Sequence, residues 1–347
     1  MVHVGHSFIM KFITQSSRSF CWFLAGLALS LTPAQSAEPI QPAPVEKIRL
    51  SLADSPSHEI SPLLFGQFLE RLNAGQSHGR ERGPEAALSP GTHQLQDGVL
   101  EALEALNPTV IRFPGGMAVA GLYDWTRMID GSPFRTDPAR PEEYFFGLHE
   151  FFALCDALEA APLLAVNFRS AVWGTKPDEQ PISPEAFAAA LVAYCNLPVG
   201  APLPEGMFDW PALRAANGHP EPFGVDYFQI GNEWVAWLKA TNNVRDKIGQ
   251  EGFADDEALA THITKRLLTM ISAMREIDPE IKIIIDAVMW EEKHENWLRP
   301  VLQNPQVREA ADFATVHLYR PWSVKGFEKE GQSVEADRLS PEDLWYY

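Results

Sequence analysis

Short apolar runs alternate with longer amphipathic stretches along most of the chain. Six of the runs have the length and the flanking turn residues of buried β-strands. These candidate strands are Leu63 to Phe68, Val110 to Phe113, Leu163 to Asn167, Tyr227 to Ile230, Ile281 to Val288 and Phe313 to Leu318. Strand followed by helix, repeated, is typical of a parallel sheet covered by helices, so the pattern predicts an α/β fold.

The amphipathic stretches between the runs predict helices. The clearest is Glu257 to Ile277, where apolar residues recur at helical spacing and Pro279 follows the end. A second begins at Ser183 and Pro184, a capping residue followed by proline at the first helical position. No GxGxxG motif follows the first strand, so a (β/α)8 (TIM) barrel is favoured over a dinucleotide-binding fold. With about six of the eight strands of such a barrel, residues 60–347 are predicted to form an incomplete barrel.

The N-terminus has the pattern of a secretory signal. Lys11 and Arg18 precede an apolar run from Phe20 to Leu31, and small residues suited to cleavage follow. Residues 1–37 are therefore predicted to be a signal peptide, which implies a secreted or periplasmic product without a membrane anchor after cleavage. Residues 38–59 begin with a proline-containing linker.

Composition narrows the class of partner. The chain of 347 residues is 46% hydrophobic and 21% charged, with a net charge of -18 and no cluster of basic residues. Such a charge argues against a nucleic-acid partner. Cys155 and Cys195 lie on predicted helix faces and are expected to be buried thiols, and no motif in the sequence indicates a metal or another cofactor. The oligomeric state is open, and a homo-oligomer is compatible with the sequence.

Polar side chains follow the apolar runs at the ends of the predicted strands. In a parallel barrel these ends meet at one face, where enzymes of this architecture carry their sites. The residues at these ends are Gln67, Glu70, Arg112, Asn167, Arg169, Asn232, Glu233, Asp286, Trp290, His317 and Tyr319. Carboxylates, an arginine and a histidine at one face indicate a functional cleft. The simpler alternatives are that Arg112 forms a structural ion pair with Glu70 and that His317 is a core histidine.

The most informative single segment is Phe228 to Trp234, an apolar strand that ends on Asn232 and Glu233. A carboxyl group beside an amide that binds a hydroxyl, and beside an aromatic ring that stacks on a sugar, suits acid catalysis on a glycosidic bond. The alternative is that Asn232 and Glu233 only cap the helix that follows.

Three stretches carry a family resemblance. Ile111 to Gly116 reads IRFPGG, Leu213 to Phe223 reads LRAANGHPEPF, and Gly231 to Glu233 reads GNE. Together with the sequence from Ile60 to Glu70, they resemble glycoside hydrolase family 51, the α-L-arabinofuranosidases, over residues from about 60 to about 320. The resemblance implies a retaining mechanism in a (β/α)8 barrel, with an accessory β-sandwich to which a strand within residues 38–59 would contribute.

The resemblance also implies roles for individual residues. Glu233 would be the general acid/base, and Asn232 would bind the hydroxyl next to the anomeric carbon. Glu70 would hold distal sugar hydroxyls. Arg112 and His317 would position the nucleophile, with Tyr319 lining the same subsite. Trp234, and Trp237 after it, are candidate sugar-binding rings.

The second carboxylate of a retaining pair is the missing part of this prediction. The resemblance implies a nucleophile on a seventh strand, which is expected past Tyr347, so the chain is predicted to be truncated and inactive by itself. Glu291 and Glu292, near the end of the fifth run, are expected to be solvated rather than catalytic.

Three departures from the family pattern, Met117, Arg71 and Leu197, leave the sugar open. The alternatives are another retaining glycosidase on the same scaffold, acting on a glucan or a galactan, and a non-catalytic carbohydrate-binding protein.

Overall fold

The structure of the chain is a computed structural model. It describes residues 61–70, 87–89, 91–115, 124–133, 139, 144–173, 182–235, 253, 255–288, 295–317, 326–329 and 332–335. The predicted signal peptide at 1–37 and the predicted linker segment at 38–59 lie outside the described residues.

Six parallel strands form one sheet in which neighbours along the chain are also neighbours in space. The strands are β1 (Gln67–Glu70), β2 (Val110–Gly115), β3 (Ala161–Val166), β4 (Tyr227–Ile230), β5 (Lys282–Asp286) and β6 (Phe313–Thr315). Every adjacent pair is parallel. Because sequential parallel strands are the order of a (β/α) barrel, the predicted incomplete barrel is confirmed.

The first strand begins later than predicted. Leu63 and Leu64, expected to open the strand, belong to a single 3-10 turn (Pro62–Leu64), and β1 starts at Gln67. Pro62 occupies the first helical position, and the amides of Leu64 and Phe65 donate to the carbonyls of Ser61 and Pro62, each at 3.1 Å. Proline favours the first position of a helical turn, so the local bonds override the apolar pattern here.

Helices follow the strands and cover the sheet. They are α1 (Val99–Leu106), α2 (Leu148–Ala157), α3 (Arg169–Trp173), α4 (Pro184–Asn196), α5 (Trp210–Ala216), α6 (Asp256–Ile277), α7 (Glu295–Gln303) and α8 (Pro305–Ala310). A further 3-10 turn spans Trp125–Met128. The predicted alternation of strand and helix is therefore present from β2 to β6.

The helix predicted from its cap and the helix predicted from its apolar spacing both begin where expected, and each has a capping residue. The Ser183 hydroxyl accepts from the amide of Ala186 at 3.2 Å, and Pro184 is the first residue of α4. Asp255 accepts from the amide of Ala258 at 2.8 Å at the start of α6. Each cap satisfies an amide that the first helical turn leaves without a partner.

Helices α4 and α6 pack against each other, and both contribute side chains to the hydrophobic core. Helix α4 is buried over nearly its whole length, whereas α6 buries one face. Cys155 and Cys195 are free and buried, as predicted. Burial raises the pKa of the Cys155 thiol to about 12, with a smaller contribution from neighbouring Asp156, and burial also raises the pKa of Cys195.

A fully buried arginine joins the end of α4 to the segment after α5. The guanidinium of Arg214 donates to four backbone carbonyls at distances from 2.8 to 3.1 Å. The carbonyls belong to Tyr194, Leu197, His219 and Pro220. Burial lowers the pKa of this guanidinium. Arg214 thus fixes the irregular segment that leads from α4 towards β4.

A two-stranded antiparallel hairpin lies outside the main sheet. Its strands are β7 (Gly326–Lys329) and β8 (Gln332–Glu335). The sequence pattern predicts no strand in this segment. The two short strands are polar, so they lack the apolar run from which strands were predicted. They pair nevertheless, because a hairpin is stabilised by its backbone ladder and its turn as well as by burial.

Candidate active site

The carboxyl ends of β2, β4 and β6 bring four of the predicted site residues into two contacts. The guanidinium of Arg112, from β2, donates to the side-chain oxygen of Asn232, which follows β4. His317, which follows β6, pairs through Nδ1 with Oε1 of Glu233 at 2.9 Å. These contacts cross from one strand to another at the edge of the sheet where parallel barrels carry their sites.

The Glu233 and His317 side chains are largely buried but still reach solvent. Their side-chain exposures are 15% and 17%, respectively. Asn232 is 1% exposed. The site therefore offers a partly accessible carboxyl group that rests against a histidine, with a buried amide next to it.

The backbone between β4 and the next helical residues takes an unusual path. Gly231 has φ 74° and Glu233 has φ 46°, both in the left-handed region. The carbonyl of Gly231 accepts from the Gln229 side chain at 2.8 Å. The amide of Trp234 donates to Oδ2 of Asp286 at 2.6 Å. A left-handed conformation is unfavourable for a residue with a Cβ, so the bonds on either side of Glu233 maintain it.

The helix-capping alternative for Asn232 and Glu233 does not account for these contacts. The helical turn after β4 begins at Trp234, whose amide is bonded by Asp286 from the neighbouring strand. The side chains of Asn232 and Glu233 contact Arg112 and His317, respectively.

Asp286 was noted as a strand end but was given no role, and the structure places it beside the Glu233 segment. Its side chain is fully buried at the end of β5. Burial raises the pKa of this carboxyl group to about 6, and the charge of Glu233 acts in the same direction. The bonds from the Trp234 amide and the Thr315 hydroxyl, together with nearby His317, act in the opposite direction. The sequence signal for Asp286 is a lone carboxylate directly after a run of isoleucines.

The assignment of Trp234 as a sugar-binding ring is corrected by the structure. The indole is fully buried. Its Nε1 donates to the carbonyl of Ile230 at 2.9 Å, and its ring lies 4.9 Å from that of Phe168 between centroids. A ring with no exposed face cannot stack on a sugar, so Trp234 packs the core beneath the Glu233 segment.

The end of β3 is occupied locally. Asn167 accepts from the amide of Ser170 at 3.2 Å and donates to its hydroxyl at 3.1 Å, which caps α3. Burial lowers the pKa of the Arg169 guanidinium to about 10. Helix α6 supports this segment, because His262 and Arg266 contact the carbonyls of Val172 and Ala171, each at 2.8 Å.

Several predicted residues are not placed by the structure. Glu70 is the last residue of β1. Its backbone pairs in register with Gly115, at the same edge of the sheet as Arg112. The side chain of Glu70 lies outside what the structure describes. Further residues outside it are Arg71, Met117, Trp237, Trp290, Glu291, Glu292 and Tyr319.

Within the described residues, no helix is long and apolar enough to cross a membrane. The same residues contain no group of three or more histidine, cysteine or acidic side chains arranged to hold a metal ion.

Gly231 is the position of this site that tolerates a side chain least. An added Cβ would lie 2.4 Å from Nε1 of Trp234 and 3.1 Å from Cβ of Phe168. We expect Gly231→Ala to lower the free energy of unfolding by about 3 kcal/mol, from left-handed strain and overpacking together. Chemical denaturation measures the loss.

The control for this substitution is Gly200→Ala. Gly200 has φ 81° but nothing within 4 Å of an added Cβ. We expect it to show the backbone strain alone, about 1–2 kcal/mol. Equal losses for the two variants would contradict the argument from crowding against Trp234.

The fold and the strand-end site together define a (β/α)-barrel protein with a carboxyl group at its functional edge. Residues 102–332 match the family model described as "Alpha-L-arabinofuranosidase 1 domain", and the chain belongs to that family. The resemblance to glycoside hydrolase family 51 is thereby confirmed.

Curated relatives have the same family character. The chain is 28% identical over 270 residues to an intracellular exo-alpha-(1->5)-L-arabinofuranosidase of Streptomyces lividans, covering 75% of this chain and 35% of that protein. It is 34% identical over 209 residues to a probable alpha-L-arabinofuranosidase C of Aspergillus niger, covering 54% of this chain and 36% of that protein. The chain thus spans about a third of the length of these relatives.

Solved structures share the fold. A family 51 alpha-L-arabinofuranosidase from Bifidobacterium longum superposes with a TM-score of 0.51 at 24% identity, covering 76% of this chain and 46% of that one. A GH51 arabinofuranosidase from Xanthomonas axonopodis pv. citri superposes with a TM-score of 0.51 at 23% identity, covering 80% of this chain and 50% of that one. Both likenesses bear on the fold alone.

Proposed function

We propose that this chain carries the acid/base side of the active site of a retaining α-L-arabinofuranosidase. The observation that supports the proposal best is the carboxyl group of Glu233, which lies 2.9 Å from Nδ1 of His317 at the carboxyl edge of the parallel sheet. Family membership supports the choice of substrate class.

Glu233 is proposed as the general acid and then the general base. In the first step its carboxyl group protonates the leaving oxygen, and in the second the carboxylate takes a proton from the attacking water. The contact with His317 restricts the side chain to one orientation. A fixed orientation favours proton transfer, because a general acid must stay within hydrogen-bond reach of the oxygen that it protonates.

Asn232 and Arg112 are proposed to form the neighbouring part of the sugar site. The guanidinium donates to the oxygen of the Asn232 amide, which directs the NH2 end of that amide elsewhere. We propose that this end binds the sugar hydroxyl next to the anomeric carbon. Glu70 and Tyr319 are proposed for distal hydroxyls and for the nucleophile subsite, respectively.

A retaining mechanism also needs a nucleophile. A retaining pair requires a second carboxyl group about 5–5.5 Å from the first, with access to the anomeric carbon. Asp286 is close to Glu233, but it is fully buried and both its oxygens accept hydrogen bonds, from Trp234 and from Thr315. We therefore assign the nucleophile to neither Asp286 nor Glu233, and we propose that a further strand of the full-length protein supplies it.

We also propose that the N-terminal segment directs the protein out of the cytoplasm. The basic residues, the apolar run from Phe20 to Leu31 and the small residues that follow it support this proposal. N-terminal sequencing of the mature protein tests it, with a start near Ala37 or Glu38 as the expected result.

The substrate assignment is tested with para-nitrophenyl glycosides and the full-length protein that carries this sequence. We expect kcat/KM for the α-L-arabinofuranoside to exceed that for the glucopyranoside and galactopyranoside by at least about 10²-fold, since a site built to bind hydroxyls rejects sugars that misplace them. Retention is read from the anomer released first, by proton NMR. Preferred hydrolysis of a pyranoside would favour another retaining glycosidase, and oligosaccharide binding without turnover would favour a carbohydrate-binding protein.

A further inference from the structure

Asp286 joins the two segments that carry the Glu233 and His317 side chains. Its Oδ2 accepts from the amide of Trp234, the residue after Glu233, at 2.6 Å. Its Oδ1 accepts from the hydroxyl of Thr315, two residues before His317, at 3.0 Å. One carboxylate therefore bonds the backbone after β4 and the last residue of β6 at the same time.

The two bonds act on the parts of the site that need restraint. Glu233 holds a left-handed conformation, with φ 46°, which costs free energy in a residue with a Cβ. The bond to the amide of Trp234 fixes the peptide group directly after it. The bond to Thr315 fixes the strand end from which His317 extends. Glu233 and His317, whose side chains are 2.9 Å apart, extend from the two segments that these bonds join.

A role in stability alone explains this residue poorly. Asp286 is fully buried at the end of β5, and burial raises the pKa of its carboxyl group to about 6, so it is largely ionised at neutral pH. A buried carboxylate lowers the stability of the folded state unless its hydrogen bonds offset the lost hydration. Both bonds that offset it here are to the segments of the candidate site.

We propose that Asp286 is a positioning residue that orients Glu233 for proton transfer by bonding Trp234 and Thr315 together. This inference rests on the proposed acid/base role of Glu233. Asp286 itself touches no substrate in this scheme and exchanges no proton with it.

Leaving-group dependence separates positioning from general damage. A misplaced acid lowers kcat/KM, which reports the glycosylation step, for substrates whose leaving group needs a proton, and it spares kcat/KM for substrates with an activated leaving group. In the full-length protein, we expect Asp286→Ala to lower kcat/KM for an arabino-oligosaccharide by about 10²-fold, the scale of an ångström misplacement, and kcat/KM for dinitrophenyl arabinofuranoside far less. Equal losses on the two substrates, or no loss on either, would overturn the proposal.

Asp286→Asn is the conservative substitution at the same position, and it can keep both hydrogen bonds. A carboxamide oxygen can still accept from the amide of Trp234, and the Thr315 hydroxyl can turn to accept from its NH2 group. We therefore expect Asp286→Asn to restore most of the kcat/KM lost in Asp286→Ala. If Asp286→Ala does not fold, Thr315→Val, which removes one of the two bonds, is expected to lower kcat/KM for the oligosaccharide by about 5-fold, as for one hydrogen bond. Failure of Thr315→Val to discriminate between the substrates would count against the proposal.

The matched control is Asp312→Asn. Asp312 also bonds a sheet amide, that of Ile283 at 2.8 Å, and also pairs with another side chain, that of Arg275. It lies just before β6, at the opposite end of the sheet from the site. We expect it to change the melting temperature without changing the ratio of kcat/KM for the two substrates.

A crystal structure of Asp286→Ala tests the inference without reference to any sugar. We expect residue 233 to leave the left-handed region and the distance between Glu233 and His317 to exceed hydrogen-bond range. An unchanged Glu233 geometry would overturn the positioning role even if the wild-type protein is a good arabinofuranosidase. Absence of hydrolysis by the wild type, with the expected change of geometry in the variant, would count against the proposed function alone.

Discussion

Glu233→Gln is expected to lower kcat/KM for arabino-oligosaccharides by about 10²–10⁴-fold, the range that a positioned general acid contributes. The amide keeps the size of the side chain and a carbonyl oxygen that can accept from His317, so the fold should be unaffected. What it lacks is the proton for the leaving oxygen. Dinitrophenyl arabinofuranoside, whose leaving group departs without protonation, should show a much smaller loss in the glycosylation step. Steady-state kinetics on the two substrates measure the difference.

Glu159→Gln is the control for this substitution. Glu159 is the same residue type with the same left-handed backbone, at φ 52°. It lies just before β3 and therefore at the opposite edge of the sheet from the site. We expect its kinetics to match those of the wild type. If Glu233→Gln affected both substrates to the same degree, the acid/base assignment would be wrong.

The order of the sheet follows from the sequence because apolar runs and helical periods alternate. Each of β2 to β6 overlaps its predicted run, and the caps at Ser183 and Asp255 begin helices where the pattern predicts them. The start of β1 and the hairpin of β7 and β8 could not be predicted from the alternation of apolar runs and helical periods. Local hydrogen bonds after Pro62, and a backbone ladder between polar strands, decide those segments rather than apolar burial.

The site is only partly contained in the sequence pattern. Strand ends and family resemblance indicated Arg112, Asn232, Glu233 and His317, and the structure brings these into contact. The pairing itself could not be predicted, because it depends on how neighbouring strands are aligned. The resemblance implied that His317 positions the nucleophile, whereas the contact of His317 in the structure is with Glu233.

Burial is the property that the sequence conveyed least well. Trp234 follows Glu233 directly and was predicted from the sequence to be a sugar-binding ring, yet its ring is fully buried. Asp286 is the converse case. It is a charged residue at the end of a run of isoleucines, yet it is fully buried, and it accepts from the amide of Trp234 after the left-handed turn that follows β4. Both outcomes depend on that turn, which no apolar pattern encodes.

The largest loss of stability is expected from Arg214→Met, a change that keeps the apolar stem and removes the guanidinium. Four carbonyl groups lose their donor in a fully buried site. Because an unsatisfied buried acceptor costs about 1 kcal/mol or more, we expect the free energy of unfolding to fall by about 4 kcal/mol or more. Urea denaturation monitored by tryptophan fluorescence measures the change.

Arg275→Met shows whether this loss comes from the carbonyl bonds or from the removal of an arginine charge. Arg275 pairs with Asp312 at 2.8 Å, and the two side chains are 29% and 28% exposed. Solvent screens such a pair, so its removal should cost no more than about 1 kcal/mol. Similar losses for the two variants would mean that the carbonyls freed in Arg214→Met find other donors. In that case the segment between α4 and β4 is fixed by packing rather than by the guanidinium.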